Sequence, residues 1–325
     1  MSYSNNTTIT VTLYEAPLLR HIKLCLLLIF QIPSVLCTLL IFYHFLKNNR
    51  EYRHRIQNQI LVLLLFINFL IETIELTITE TFLNFGFIQS SKICLFWITI
   101  NYTLFALSLS LTAWTSIERY LFIFNAHFIK KHLILLHYLP IIMLIIYTPL
   151  FYSGLILIYQ CENDFDCTKY TCAGPCYLYE AQLGITDWLI NVFTPIIIIA
   201  VTNVTLIVQV IKQKYRMQRT NQWRRTIKLS IQLLSISFLY ICGWFPYMTV
   251  SLIQIFENTL FLTHLVSTYV AYLAYVSALL LPFVSIICLP DIKQNLLSLL
   301  FNNNIIHAAT TRTINKTIAH TVAKF

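Results

Sequence analysis

Seven long apolar runs, each free of Lys, Arg, Asp and Glu, divide the chain: 24–46, 56–71, 93–117, 132–161, 188–211, 229–256 and 258–290. A helix crosses a bilayer with about 20 apolar residues, and the second run reaches that length by extending to about residue 79, with Glu72 and Glu75 inside. The runs are Leu/Ile-rich and continuous, unlike the alternating strands of an outer-membrane barrel. The last two are parted by Glu257 alone, yet together exceed 60 residues, enough for two helices and a tight turn near Asn258. The pattern predicts an all-α membrane protein: a terminal segment over 1–21 and a seven-transmembrane helix bundle over 22–290. After Pro290, the residues Ile292, Leu296, Leu297 and Leu300 recur at helical spacing. They predict a short interfacial amphipathic helix over 291–301, followed by a mobile Thr/Asn-rich tail over 302–325.

Composition narrows this further. Hydrophobic residues make up 58% of the 325 and charged ones only 11%, against about 25% charged in a soluble domain. A water-facing surface cannot be built from so few charges, and a disordered chain would carry many more. Five glycines leave no room for collagen-like, linker or phosphate-cradling designs.

The charges also orient the bundle. Of the 22 Lys and Arg, 18 fall in the segments 47–55, 118–131, 212–228 and 290–325, against Glu51, Glu118 and Asp291. The opposite loops are net acidic. The basic side stays in the cytoplasm, which predicts an extracellular N-terminus, a cytoplasmic amphipathic helix and tail, and location in the plasma membrane. The net charge of +9 then reflects topology and contact with anionic membrane lipids, with no nucleic acid as partner. No cleavable leader pattern opens the chain, so the first span is expected to serve as its own signal. Asn5 and Asn6 head overlapping glycosylation sequons on the outer side.

Nine cysteines sort by compartment. Cys25, Cys37, Cys242 and Cys288 lie in or at the ends of spans and read as small hydrophobes. Cys94 opens the third span, while Cys161, Cys167, Cys172 and Cys176 crowd the outer loop before the fifth. Disulfides persist on that side of the membrane. One of the four is expected to bond Cys94 and clamp the loop over the bundle mouth; Cys172 and Cys176, nearest the fifth span, are favoured. The competing reading, a zinc site on Cys172-x3-Cys176, requires unpaired thiolates in an oxidising compartment. No metal or cofactor is expected.

Cys94 and Glu118 are separated by 23 residues, one membrane crossing at about 1.5 Å per residue. The third span thus begins with a cysteine and ends in Glu118-Arg119-Tyr120 at the opposite face. The sixth span holds Gly243-Trp244-Phe245-Pro246, the fifth Pro195, and the seventh Leu281-Pro282-Phe283-Val284-Ser285. Together, over residues 22–301, these resemble the rhodopsin-like (class A) G-protein-coupled receptors. The chain departs from that pattern with Gly243 for Cys, Asn68 for the second-span Asp, and Ser285 for the seventh-span Tyr.

The resemblance implies a receptor in which an extracellular ligand shifts the sixth helix and exposes Arg119 to a heterotrimeric G protein. Glu118 is expected to pair with Arg119 at rest, with Tyr120, Trp244, Pro246 and Pro282 completing the switch. Asn101, Tyr102, Phe105, Tyr247 and Tyr275 match pocket positions of the family. Asn101 stands where amine receptors carry Asp, which disfavours a biogenic amine, and the seventh span has no Lys for a retinal Schiff base. Charges inside a membrane usually mark function, so Glu72, Glu75 and Asp187 are expected to face a wet ligand cavity. Glu72 and Glu75, three residues apart, share one helix face. The acidic loop over 161–180 would suit a basic peptide. The tail threonines Thr310, Thr311, Thr313, Thr317 and Thr321 are candidate phosphosites for arrestin recruitment. The alternative is a transporter or channel without G-protein coupling, a class that commonly shows inverted repeats or broken spans in both halves; neither is visible. No hydrolase or metalloenzyme motif is present, so an enzyme is not expected.

Overall fold

In a computed structural model of the chain, residues 16–47, 56–124, 131–161, 165–216, 221–256 and 259–288 are described. Among them all regular structure is helical. Seven helices are long and apolar enough to cross a membrane: α1 Pro17–Lys47, α2 Gln59–Phe85, α3 Ser91–Phe122, α4 Ile134–Ile158, α5 Gln182–Lys212, α6 Leu234–Gln254 and α7 His264–Ile287. The chain is a multi-pass membrane protein. Asn5 and Asn6, the helix expected over 291–301 and the tail over 302–325 lie outside the described residues.

Two helices run further than the charge-free stretches that predict them. α2 continues to Phe85 through Glu72, Glu75 and Glu80, and α5 starts at Gln182, ahead of Asp187. Burial against neighbouring helices lets Glu72, Glu75 and Asp187 stay within a span, because each finds hydrogen-bond donors there. Gly86, at φ +81°, ends α2, its N–H returning to the Phe82 carbonyl; the left-handed turn suits glycine.

The helices divide into a centre and a rim. α3 packs against α2, α4, α5 and α6, while α1 touches α2 and α7, and α6 lies along α7. Of the most apolar window of α2 and α7, 56% is buried, against 22% for α4. On α4 the residues Leu139, Ile142, Met143, Ile146 and Leu150 are exposed at three- and four-residue spacing, a stripe that lipid tails would cover. α6 comes close to α7 because position 243 is glycine: a Cβ there would sit 2.8 Å from the Leu273 carbonyl oxygen. Cys25 and Cys242 are exposed on the bundle's outside rather than packed within it.

Candidate functional site

At the Cys94 end of the bundle, a cavity opens between α3, α5, α6 and α7. Asn101, Tyr102, Phe105, Asp187 and Tyr247 line it, as do Trp244, Trp188, Tyr170 and Thr171. Phe105 stands edge-on to both Trp244, at 5.6 Å, and Tyr275, at 5.3 Å, and Trp188 packs on Tyr247 at 5.3 Å. The floor is therefore aromatic. The Trp244 indole N–H is buried and makes no hydrogen bond among the described residues, so it remains a donor at the floor.

A loop crosses the mouth and is tied down twice, by Cys94–Cys172 and Cys161–Cys176. The first bridge joins α3 to the loop across 78 residues of chain. Cys167 is left over, its sulfur 3.6 Å from that of Cys94. Thr171, Cys172 and Ala173 all hold left-handed backbone angles, with φ of 47°, 50° and 70°. Such angles are costly for non-glycine residues, and the bridge at Cys172 holds them where Tyr170 and Thr171 reach the cavity. Burial raises the phenol pKa of Tyr170 and Tyr177, and the nearby acids Glu75 and Asp187 raise them further. Both phenols stay protonated and can donate.

The three buried acids sit differently from expectation. Glu72 and Glu75 are fully buried and do not line the cavity. Nor do they share a face: the wide π turn over Ile71–Glu75 splays them apart. Glu72 accepts from the Ser34 hydroxyl on α1 at 2.8 Å. Glu75 faces α3 and α7, where its Oε1 accepts from Asn101 (2.6 Å), Tyr275 (2.7 Å), Trp97 and Thr79 (both 3.1 Å). Tyr275 is spent on this network and on Tyr170, and lies behind the cavity wall. Asp187 does reach the cavity, but its carboxylate is caged by Tyr152 at 2.9 Å, Asn191 at 2.7 Å and Tyr177 at 3.0 Å. A carboxylate in a low-dielectric bundle takes whatever donors surround it, and those donors belong to the protein.

In the described part of the loop the acids are engaged locally. Asp166 accepts from the Thr168 hydroxyl and backbone and meets Lys169 at 3.1 Å, while Glu180 accepts from Tyr159. These contacts, the Thr168 hydroxyl first, hold the Asp166 carboxyl below its ordinary range.

At the other end of α3, Arg119 is 4% exposed. It lines a narrow cleft with Thr115 and Ser116 of α3 and Ile236 and Ser237 of α6. Ser116 and Ser237 are 3.4 Å apart, so α6 lies closed against α3. The Tyr120 hydroxyl accepts from Gln209 of α5 at 2.9 Å. Glu118 does not hydrogen-bond its neighbour Arg119 as expected: its Oε1 meets His137 Nδ1 of α4 at 2.6 Å, and its Oε2 has no hydrogen-bond partner among the described residues. Glu118 is drawn towards α4, where His137 meets it, while Arg119 faces α6.

Residues 21–284 match the family model of the 7 transmembrane receptor (rhodopsin family). The chain belongs to that family. A comparison with curated proteins finds no match.

Within this rhodopsin-family receptor, the core between cavity and cleft holds a partner that sequence reasoning missed, Tyr240. Asn68 donates to Ser108 at 3.2 Å and to Tyr240 at 3.1 Å, and Tyr240 and Ser108 meet at 2.6 Å. Ser277 of α7 donates to its own helix at Ala274. Trp97, Tyr170, Trp188 and His137 were likewise missed. Only His137 carried a signal, as a histidine in an otherwise Leu/Ile-rich span.

Proposed function

We propose that this receptor resides in the plasma membrane with its N-terminus outside and couples an extracellular ligand to a heterotrimeric G protein. The observation that carries this reading is the floor of the cavity. Trp244 stands against Phe105 and Tyr247, two residues ahead of Pro246 in α6, where proline removes a helix hydrogen bond and permits a bend. A ligand that displaces Trp244 rotates α6 about Pro246, with Pro282 giving α7 a matching point of compliance. The far end of α6 leaves Ser116, and Arg119 opens to the C-terminal helix of a Gα subunit docking in the groove.

The lining defines the ligand's chemistry. Among the described residues, the only carboxylate there is caged, and no Lys or Arg lines the wall. The ligand offers an aromatic or apolar group to Phe105, Trp188 and Trp244, and hydrogen-bonding atoms to Asn101, Tyr102, Thr171 and the Trp244 N–H. A peptide side chain presented under the clamped loop supplies both. The basic segments beside the membrane anchor helix ends to anionic lipid, and phosphorylation of the tail threonines recruits arrestin.

The experiment is a peptide and small-molecule screen in cells reporting each G-protein pathway, with Arg119→Ala at matched surface density as control. Responses are expected from the parental chain and not from the variant. Full-sized responses in Arg119→Ala would sink the coupling role.

A further inference from the structure

His137 is a histidine inside an apolar span, and the structure gives it two partners from two other helices. The wide turn over Ile134–Tyr138 brings it to the inner side of α4, where it is 1% exposed. Its Nδ1 lies 2.6 Å from Glu118 Oε1, and its Nε2 faces the Gln59 side-chain oxygen at 3.4 Å. Tyr138 donates to the same Gln59 oxygen at 3.2 Å, and the Tyr138 and His137 rings pack edge-on at 4.7 Å. The imidazole is thus held from both sides, and against a carboxylate its Nδ1 acts as the donor.

We infer that His137 is a positioning residue for coupling: by holding the Glu118 carboxylate against α4, it keeps that carboxylate from clasping Arg119. The inference rests on the receptor reading above. Glu118 and Arg119 are adjacent, both are buried, and a guanidinium is the strongest partner a carboxylate can find. With His137 in place the carboxylate has a donor on α4. Without it, a buried carboxylate loses the one side chain that hydrogen-bonds it among the described residues, a costly state, and Arg119 is the cation next to it in the chain. The clasp then closes, and the opening that exposes Arg119 to a Gα subunit is disfavoured. The simpler role for His137, a polar plug knitting α2, α3 and α4, predicts lower yield but unchanged coupling by each folded receptor.

The test uses the full-length receptor in lipid nanodiscs and reads ligand-independent uptake of a non-hydrolysable GTP analogue by purified heterotrimers of each Gα class. His137→Leu is expected to lower the exchange rate about tenfold, the effect of shifting the clasp equilibrium by about 1.4 kcal/mol. His137→Asn, whose side-chain amide can donate from near the Nδ1 position, is expected to keep the parental rate. Adding Glu118→Gln to His137→Leu is expected to restore exchange, since no carboxylate remains to hold Arg119; damage to the fold is not repaired that way. Parental exchange by His137→Leu, or a loss that persists in the double variant, overturns the inference. Arg119→Ala separates the two levels. If it is silent while His137→Leu behaves as the parent, the inference alone falls. If Arg119→Ala exchanges at the parental rate, or no heterotrimer responds to the parental chain, the receptor reading falls and takes the inference with it.

Discussion

At the Cys94 end, Glu75 and Asp187 take their hydrogen bonds from tyrosine, tryptophan, threonine and asparagine, and each side chain gathers at least three. At the Arg119 end, Glu118 takes a single contact, from His137; as on Glu75, its second oxygen has no hydrogen bond among the described residues. A carboxylate ringed by neutral donors on three helices has one good arrangement and braces them. A carboxylate with one partner on another helix and a guanidinium next to it in the chain has two candidate partners, which is what a two-state element needs. On the coupling role inferred above, the first pattern serves a scaffold and the second a switch. Intramembrane charge alone does not tell them apart.

The largest expected effect lies in the clamp that holds the scaffold end. Cys94→Ser opens a bridge spanning 78 residues, a loss of about 4 kcal/mol by loop-closure entropy, and is expected to abolish surface delivery, read by flow cytometry. Cys172→Ser should be milder, because the Cys167 sulfur is 3.6 Å from Cys94 and can take its place. Peptide mapping without reductant would find a Cys94–Cys167 bridge, and a free Cys94 thiol would break that expectation.

Next come the two glutamates. Glu75→Ala strands the donors of Trp97, Asn101 and Tyr275 and is expected to cost about 3 kcal/mol of stability, seen as a lower melting midpoint in detergent. Glu118→Gln leaves the fold nearly as stable but is expected to raise ligand-independent nucleotide exchange. If Glu75→Ala altered basal exchange and Glu118→Gln altered only melting, the assignment of scaffold and switch would be reversed.

The smallest effect concerns pH. The Asp166 carboxyl is held below its ordinary range, so its folded value lies beneath its unfolded one. The stability it adds to the loop is complete above about pH 4 and fades as the pH falls through the folded value. Its side chain is 38% exposed, so solvent screens the gain. Thr168→Val should remove most of the shift, read by hydrogen exchange over 165–169; unchanged protection down to the lowest measurable pH would refute it.

Much of this molecule is legible in its sequence. Uninterrupted apolar runs define the helices because a bilayer forces every backbone polar group to bond within its own segment, and spacing alone puts Cys94 and Arg119 at opposite ends of α3. Asn101, Tyr102, Phe105 and Tyr247 reach the cavity where the resemblance places them. Glu72 and Glu75 were misread because a three-residue spacing means a shared face only in a regular α-helix, and the wide turn at Ile71–Glu75 breaks that rule. Tyr240 and His137 carried no motif; they matter through residues far away in the chain.

By itself the sequence determined how many times the chain crosses the lipid and which residues stand at each end, because the solvent imposes those terms on every residue locally. Only the tertiary structure decided which donor each buried carboxylate found. That choice depends on side chains from helices 19 to 200 residues apart, brought within hydrogen-bond reach by packing, and no local pattern records it.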